Sequence, residues 1–124
     1  FEWSARRAAG EEKVFGIENN REIVNLATNN LNNLNILNCS IVFKKDLSNG
    51  LSKNAPYDKI FIEGALMDIP DSLVKQLKEN GEIYTVISNY DYIGDFVRAV
   101  KIDSSISIDK VFNTNIDNIK DFMI

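Results

Sequence analysis

The sequence predicts an α/β fold of the Rossmann-like kind: a mostly parallel sheet with a C-terminal antiparallel hairpin, incomplete at its N-terminal side. Three observations carry this expectation. Short β-branched runs alternate with stretches whose apolar residues recur at helical spacing, the order that builds parallel βαβ units. The run Ile60-Phe61-Ile62 is continuously apolar, as in strands buried on both faces of a parallel sheet. Two last apolar runs are separated only by Asp103, Ser104 and Ser105, which suits a short hairpin loop.

The elements follow in order. Phe1 to Glu12 sets Trp3, Ala5, Ala8 and Ala9 among charged residues and meets Gly10, so it reads as the end of a helix. Val14 to Glu18 reads as a strand, and Asn19 or Asn20 as the cap of a helix whose stripe is Ile23, Leu26, Ala27, Leu31 and Leu34. Cys39 to Lys45 is a second strand, Asn49-Gly50 a turn, and Tyr57 to Glu63 a third strand after the break at Ala55-Pro56. Pro70 starts a helix with Leu73, Val74 and Leu77 inside, ended by Asn80-Gly81. Ile83 to Ser88 is the fourth strand, and Phe96 to Ile102 with Ile106 to Phe112 form the hairpin. The tail, with Ile116, Ile119, Phe122 and Met123, is expected to dock on the body.

With 124 residues, 44% hydrophobic and 26% charged, the chain builds one core, so residues 1–124 are expected to form a single, partial domain. A net charge of -4 without a basic stripe argues against nucleic acid and anionic membranes as partners. No apolar run reaches the roughly 18 residues of a membrane span, and a cytoplasmic location is expected. The single cysteine, Cys39, has no disulfide partner and reads as a small core residue, with a reactive thiol as the alternative. Histidine is absent, which removes Ser-His-Asp and Cys-His catalysis and His-ligated metals; no metal site is expected. The sequence opens on Phe1 rather than Met, and is read as processed, truncated or partial.

Ligands of open α/β sheets bind beyond the carboxyl ends of the strands, where helix N-termini and loop amides converge. Glu18, Asp46 and Glu63 follow the first, second and third strands. An acid after the strand that follows the first crossover accepts both hydroxyls of a ribose. Taken alone, Glu18 reads equally as a strand-end acid or part of a helix cap, Asp46 as a turn residue and Glu63 as a solvated loop acid.

The runs "VFGIENN", "NLNNLNILNCSIVFKKD" and "APYDKIFIEGALMDIPDSLVKQLKENGEIYTVI" resemble the protein-L-isoaspartate O-methyltransferases, which use S-adenosylmethionine to methylate damaged aspartyl carboxylates. The resemblance implies that Glu18, with Asn19 beside it, meets the adenosine ribose, that Asp46 and Leu47 meet the adenine, and that Glu63 to Leu66 lie near the reacting centre. It also implies a cytoplasmic protein-repair enzyme acting on proteins or peptides with isoaspartyl carboxylates.

There are departures. "EGAL" at Glu63 to Leu66 replaces small residues and a threonine, and Lys45 replaces a glycine before the acid. The glycine-rich loop and its central strand would lie upstream of Phe1, and no G-x-G-x-x-G occurs. In the resembled fold that strand separates the first and third strands of this chain. The missing part is then a separate or omitted portion, the preferred reading; otherwise the two strands close up directly, or two copies pair across the gap. An alternative function is a degenerate, non-catalytic homologue serving as an interaction or structural module; this chain alone is expected to be inactive.

Overall fold

The computed structural model describes residues 13–88 and 93–115, in two compact units, Phe1–Leu47 and Ser48–Ile124. The helix end expected over Phe1 to Glu12 and the apolar tail from Ile116 fall outside the described residues.

In the first unit, strand β1 (Val14–Glu18) leads to helix α1 (Arg21–Asn33) and strand β2 (Cys39–Phe43), which pairs parallel with β1 from Val14↔Cys39 to Glu18↔Phe43. This is the expected βαβ crossover. Of the two candidate caps, Asn20 is the one used: its side chain accepts from the Glu22 and Ile23 amides at 3.0 and 3.3 Å. The helix closes with Asn35 at φ 55° and with the Ile36 N–H on the Leu31 carbonyl, a Schellman motif made with asparagine instead of glycine.

Within this unit the expected stripe of α1 is largely uncovered. Leu31 is buried, but Leu26 and Leu34 are 62% and 64% exposed. Helical spacing fixed which residues share a face, while two short strands are too narrow to cover that face. Cys39 is buried as expected, and desolvation pushes its thiol pKa up.

The second unit is a four-stranded sheet in the order β3 (Tyr57–Leu66), β4 (Leu77–Ser88), β5 (Ile93–Ile102), β6 (Ser105–Asn115), with helix α2 (Asp71–Lys75) between β3 and β4. β3 and β4 are parallel; β4, β5 and β6 are antiparallel neighbours. Its core joins Ile69, Leu73, Val74 and Leu77 around α2 to Ile83 and Ala99 of the sheet, with Ile60, Ile62, Ile87 and Ile106 packed around them.

Three expectations shift here. β3 runs to Leu66 instead of ending at Glu63, through an irregularity at Gly64, whose φ is +116°. β3 is not buried on both faces: Phe61 is 73% exposed, while Ile60 and Ile62 turn to the core. Helix α2 stops at Lys75 because the next residue is claimed from elsewhere: the Gln76 carbonyl accepts the Tyr57 N–H at 2.7 Å, and Leu77 enters the ladder opposite Tyr57. Asn80 (φ 64°) and Gly81 then mark a bend inside β4, not the end of a helix.

β1 pairs with β2 in the first unit's sheet, and β3 pairs with β4 in the second unit's sheet. The hairpin is as expected, with a turn of two residues, Asp103 and Ser104, both at positive φ.

Candidate functional site

Parallel pairing of β1 and β2 brings their carboxyl ends to one edge of the first unit. Glu18 is the last residue of β1, directly opposite Phe43, and its carbonyl accepts the Lys44 N–H at 3.0 Å. Its carboxylate Oε1 accepts the Asn20 N–H at 3.2 Å, while Oε2 makes no hydrogen bond among the described residues. One oxygen is thus oriented by the start of α1 and the other remains able to accept from a ligand hydroxyl. Asn19 is exposed beside it.

Asp46 and Leu47 leave β2 at the same edge, three and four residues past Phe43; Asp46 is exposed and Leu47 half-buried. Glu63 differs from its expected placement, since it lies within β3, exposed, in the second unit. The structure therefore brings Glu18, Asn19 and the Asp46-Leu47 loop to one strand edge, and gives Glu63 a position inside a strand.

Two contributors at this edge escaped the sequence reading. The Arg21 guanidinium lies 3.8 Å from the centroid of the Phe43 ring, which ties the first turn of α1 to the end of β2. The available signal was a cation just after the Asn20 cap combined with an aromatic ending the next strand. The backbone of Asn20 is the second contributor, and no side-chain pattern announces it.

A hollow of about 270 Å³ opens elsewhere in this unit, between the later turns of α1 and the start of β2, lined by Thr28, Leu31, Asn32, Ile36, Cys39 and Ser40. It sits at the amino end of β2, away from Glu18, and no charged side chain among the described residues lines it. No group of three or more possible metal ligands exists among the described residues. No described helix is long and apolar enough to cross a membrane.

A βαβ crossover whose first strand ends in an acid, and a sheet finished by an antiparallel hairpin, are features of a methyltransferase-like α/β fold. Solved structures agree. A protein-L-isoaspartate O-methyltransferase superposes with a TM-score of 0.78 at 24% identity, over 86% of this chain and 34% of its own. A Plasmodium falciparum protein assigned to the same activity, in complex with S-adenosyl-L-homocysteine, gives 0.73 at 24% identity, over 88% of this chain and 53% of its own. The profile of the protein-L-isoaspartate(D-aspartate) O-methyltransferase family matches residues 5–116, and the chain belongs to that family.

Among curated relatives, the protein-L-isoaspartate O-methyltransferase of Thermococcus sibiricus is 28% identical over 93 residues, 75% of this chain and 42% of the relative. The chain spans about half or less of the length of the curated relatives it matches.

Proposed function

We propose that this chain is the cofactor-binding part of a protein-L-isoaspartate O-methyltransferase, holding S-adenosylmethionine while a methyl group passes to an isoaspartyl carboxylate of a protein or peptide. The observation that carries this reading is Glu18: a strand-end carboxylate with one oxygen held by the Asn20 N–H and the other without a hydrogen bond among the described residues, beside the loop that bears Asp46 and Leu47. That arrangement suits a ribose hydroxyl as donor.

In this reading Glu18 binds the ribose, Asn19 flanks it, Asp46 and Leu47 receive the adenine, and Glu63 belongs nearer the reacting carboxylate. When bound, S-adenosylmethionine supplies an electrophilic methyl group on a sulfonium. Transfer would form an O–CH₃ bond as the S–CH₃ bond breaks, leaving a neutral ester and a neutral thioether, and Glu18, Asn19, Asp46 and Leu47 would hold the nucleoside end of the donor meanwhile. A carboxylate is already ionised near neutral pH, so no side chain must remove a proton, in keeping with a sequence that lacks histidine. The protein's contribution is alignment, worth up to about 7–11 kcal/mol in well-oriented reactions.

Two observations favour a second reading, a non-catalytic relative that retains the sheet as an interaction module: Lys45 stands exposed beside Asp46, and Glu63 occupies a strand position.

Calorimetric titration with S-adenosylhomocysteine separates the two. It is run on this chain and on a chimera completed with the remaining part of the Thermococcus sibiricus relative. Binding by the chimera, weakened by Glu18→Ala, is the expected result. Failure of a folded chimera to bind overturns the cofactor reading in favour of the module.

A further inference from the structure

The edge at which Glu18 ends β1 is closed by a circuit of contacts. The Glu18 carbonyl accepts the Lys44 N–H at 3.0 Å, which joins β1 to the residue after Phe43. Phe43 stands directly opposite Glu18 in the parallel register, and the Arg21 guanidinium lies 3.8 Å from the centroid of its ring. Arg21 follows Asn20, whose N–H donates to Glu18 Oε1 at 3.2 Å. The path leaves Glu18 by its backbone and returns to it by its carboxylate.

The links of this circuit differ in what holds them. The strand ladder fixes the backbone of Glu18 and Phe43 whatever Arg21 does. It does not reach Asn19 and Asn20, the exposed connection between β1 and α1, and the amide that orients the carboxylate sits there. The Asn20 side chain binds the Glu22 and Ile23 amides, so Asn20 moves as one piece with the first turn of α1. Arg21 fastens that turn to the end of β2.

Helix electrostatics give this position to an acid, because the unpaired amides of a first turn carry partial positive charge. Glu22 obeys that rule and Arg21, the first residue of α1, breaks it. A side chain that opposes the dipole and lies over a strand-end ring needs a compensating role, and such local exceptions concentrate at functional sites.

We propose that Arg21 is a positioning residue: by clamping the start of α1 onto Phe43, it keeps the Asn20 N–H on one oxygen of Glu18 and leaves the other set to accept from a ribose hydroxyl. Asp46 and Leu47 follow Phe43 by three and four residues, so the same ring anchors the strand end from which the adenine loop departs. Arg21 itself touches no ligand in this assignment. The ligand named here rests on the cofactor reading above, whereas the hold on Glu18 does not.

The hold on Glu18 is read without any cofactor, by amide hydrogen exchange of Asn20 in this chain at fixed pH. Arg21→Gln should accelerate it about two- to fivefold, the range set by an exposed cation–π contact. Arg21→Lys, which keeps a cation for the ring, should restore most of the protection. Loss of a nearby cation by itself lowers the local hydroxide concentration and slows exchange, so acceleration reports the lost bond and not the lost charge.

The consequence for the ligand is read by titrating S-adenosylhomocysteine into the completed chimera. Arg21→Gln should weaken binding by about two- to fivefold, since a clamp can shift the competent population by no more than its own strength. Phe43→Leu should weaken it to the same extent, and the double variant no further, as for two partners of one contact. Thermal melts should move little with Arg21→Gln, because relief of the dipole offsets the lost contact. A purely structural role would instead lower stability and leave affinity in the folded protein unchanged.

Unchanged Asn20 exchange in Arg21→Gln overturns the proposal. So does unchanged affinity in a chimera that Glu18→Ala weakens, or full additivity of the Arg21 and Phe43 changes. A folded chimera that binds nothing overturns the cofactor reading instead, and the exchange result then decides the hold on Glu18 by itself.

Discussion

Gln76 brackets Gly50 with both ends of its side-chain amide. Its Nε2 donates to the Asn49 carbonyl at 2.7 Å and its Oε1 accepts the Leu51 N–H at 3.1 Å. Gly50 has φ +57°, and a Cβ there would stand 2.7 Å from Gln76 Oε1 and from Leu73 Cδ2. The loop passes so close to α2 that only a glycine fits between. Ser72 adds a bond from its hydroxyl to the Ser48 carbonyl at 2.8 Å.

Gln76→Leu keeps the volume and removes both bonds. Gln76 is only 7% exposed, so its two bonds to the loop backbone are lost at a part-buried place. The expected cost is about 1–3 kcal/mol of unfolding free energy, read by urea denaturation. A change within error would mean that solvent already serves the loop.

Asn20→Ala removes the oxygen that satisfies the Glu22 and Ile23 amides. A loss of about 1 kcal/mol in the stability of the first unit is expected, and only a few tenths for Asn20→Gly. The backbone N–H that holds Glu18 survives both changes, so cofactor affinity in the completed chimera should move much less than stability.

Glu18→Ala, by contrast, should lower S-adenosylhomocysteine affinity in that chimera by about 1–3 kcal/mol, the scale of hydrogen bonds to a charged group. Calorimetry at constant pH reads it directly. Unchanged affinity removes Glu18 from the cofactor site.

The pH dependence has a defined sign at Glu82. The Tyr84 hydroxyl and then the Arg98 guanidinium donate to its carboxylate, holding its pKa below the ordinary value of 4.5. A carboxylate depressed on folding contributes stability that is fully present above its unfolded value and is lost as pH falls through the folded one. Thermal melts of the wild type should therefore decline below about pH 4.5 more steeply than those of Glu82→Gln, its stability advantage being full near neutral pH and lost in acid. Parallel declines would show that the group contributes nothing measurable.

Much of this architecture was legible locally. Val14 to Glu18, the asparagine cap and the hairpin were readable because period, cap chemistry and turn spacing are short-range signals. Glu18 and Asp46 were readable as a pair for the same reason: each follows a strand, and parallel strands end together. The length of α2 was not, because its end is set by Tyr57, nineteen positions before Gln76 in the chain. Ile60-Phe61-Ile62 misled because apolarity does not say what covers a face: Phe61 joins an aromatic row on the solvent side. Glu63 was placed one element-end too early by the irregularity at Gly64, which carries the strand on to Leu66.

The hairpin between β5 and β6 turns on Asp103 and Ser104, at φ 51° and 67°, a backbone region costly for residues with a Cβ. The Asp103 N–H is held by Glu79 Oε1 at 2.8 Å, so β4 helps keep this corner in place. The protein thus carries an unused margin at one surface bend: Ser104→Gly, which relieves the handedness penalty, should raise the melting temperature by a few degrees, corresponding to about 1 kcal/mol. A tight bend that leans on a neighbouring strand is also the place where unzipping of this sheet would be expected to begin once that lean is withdrawn.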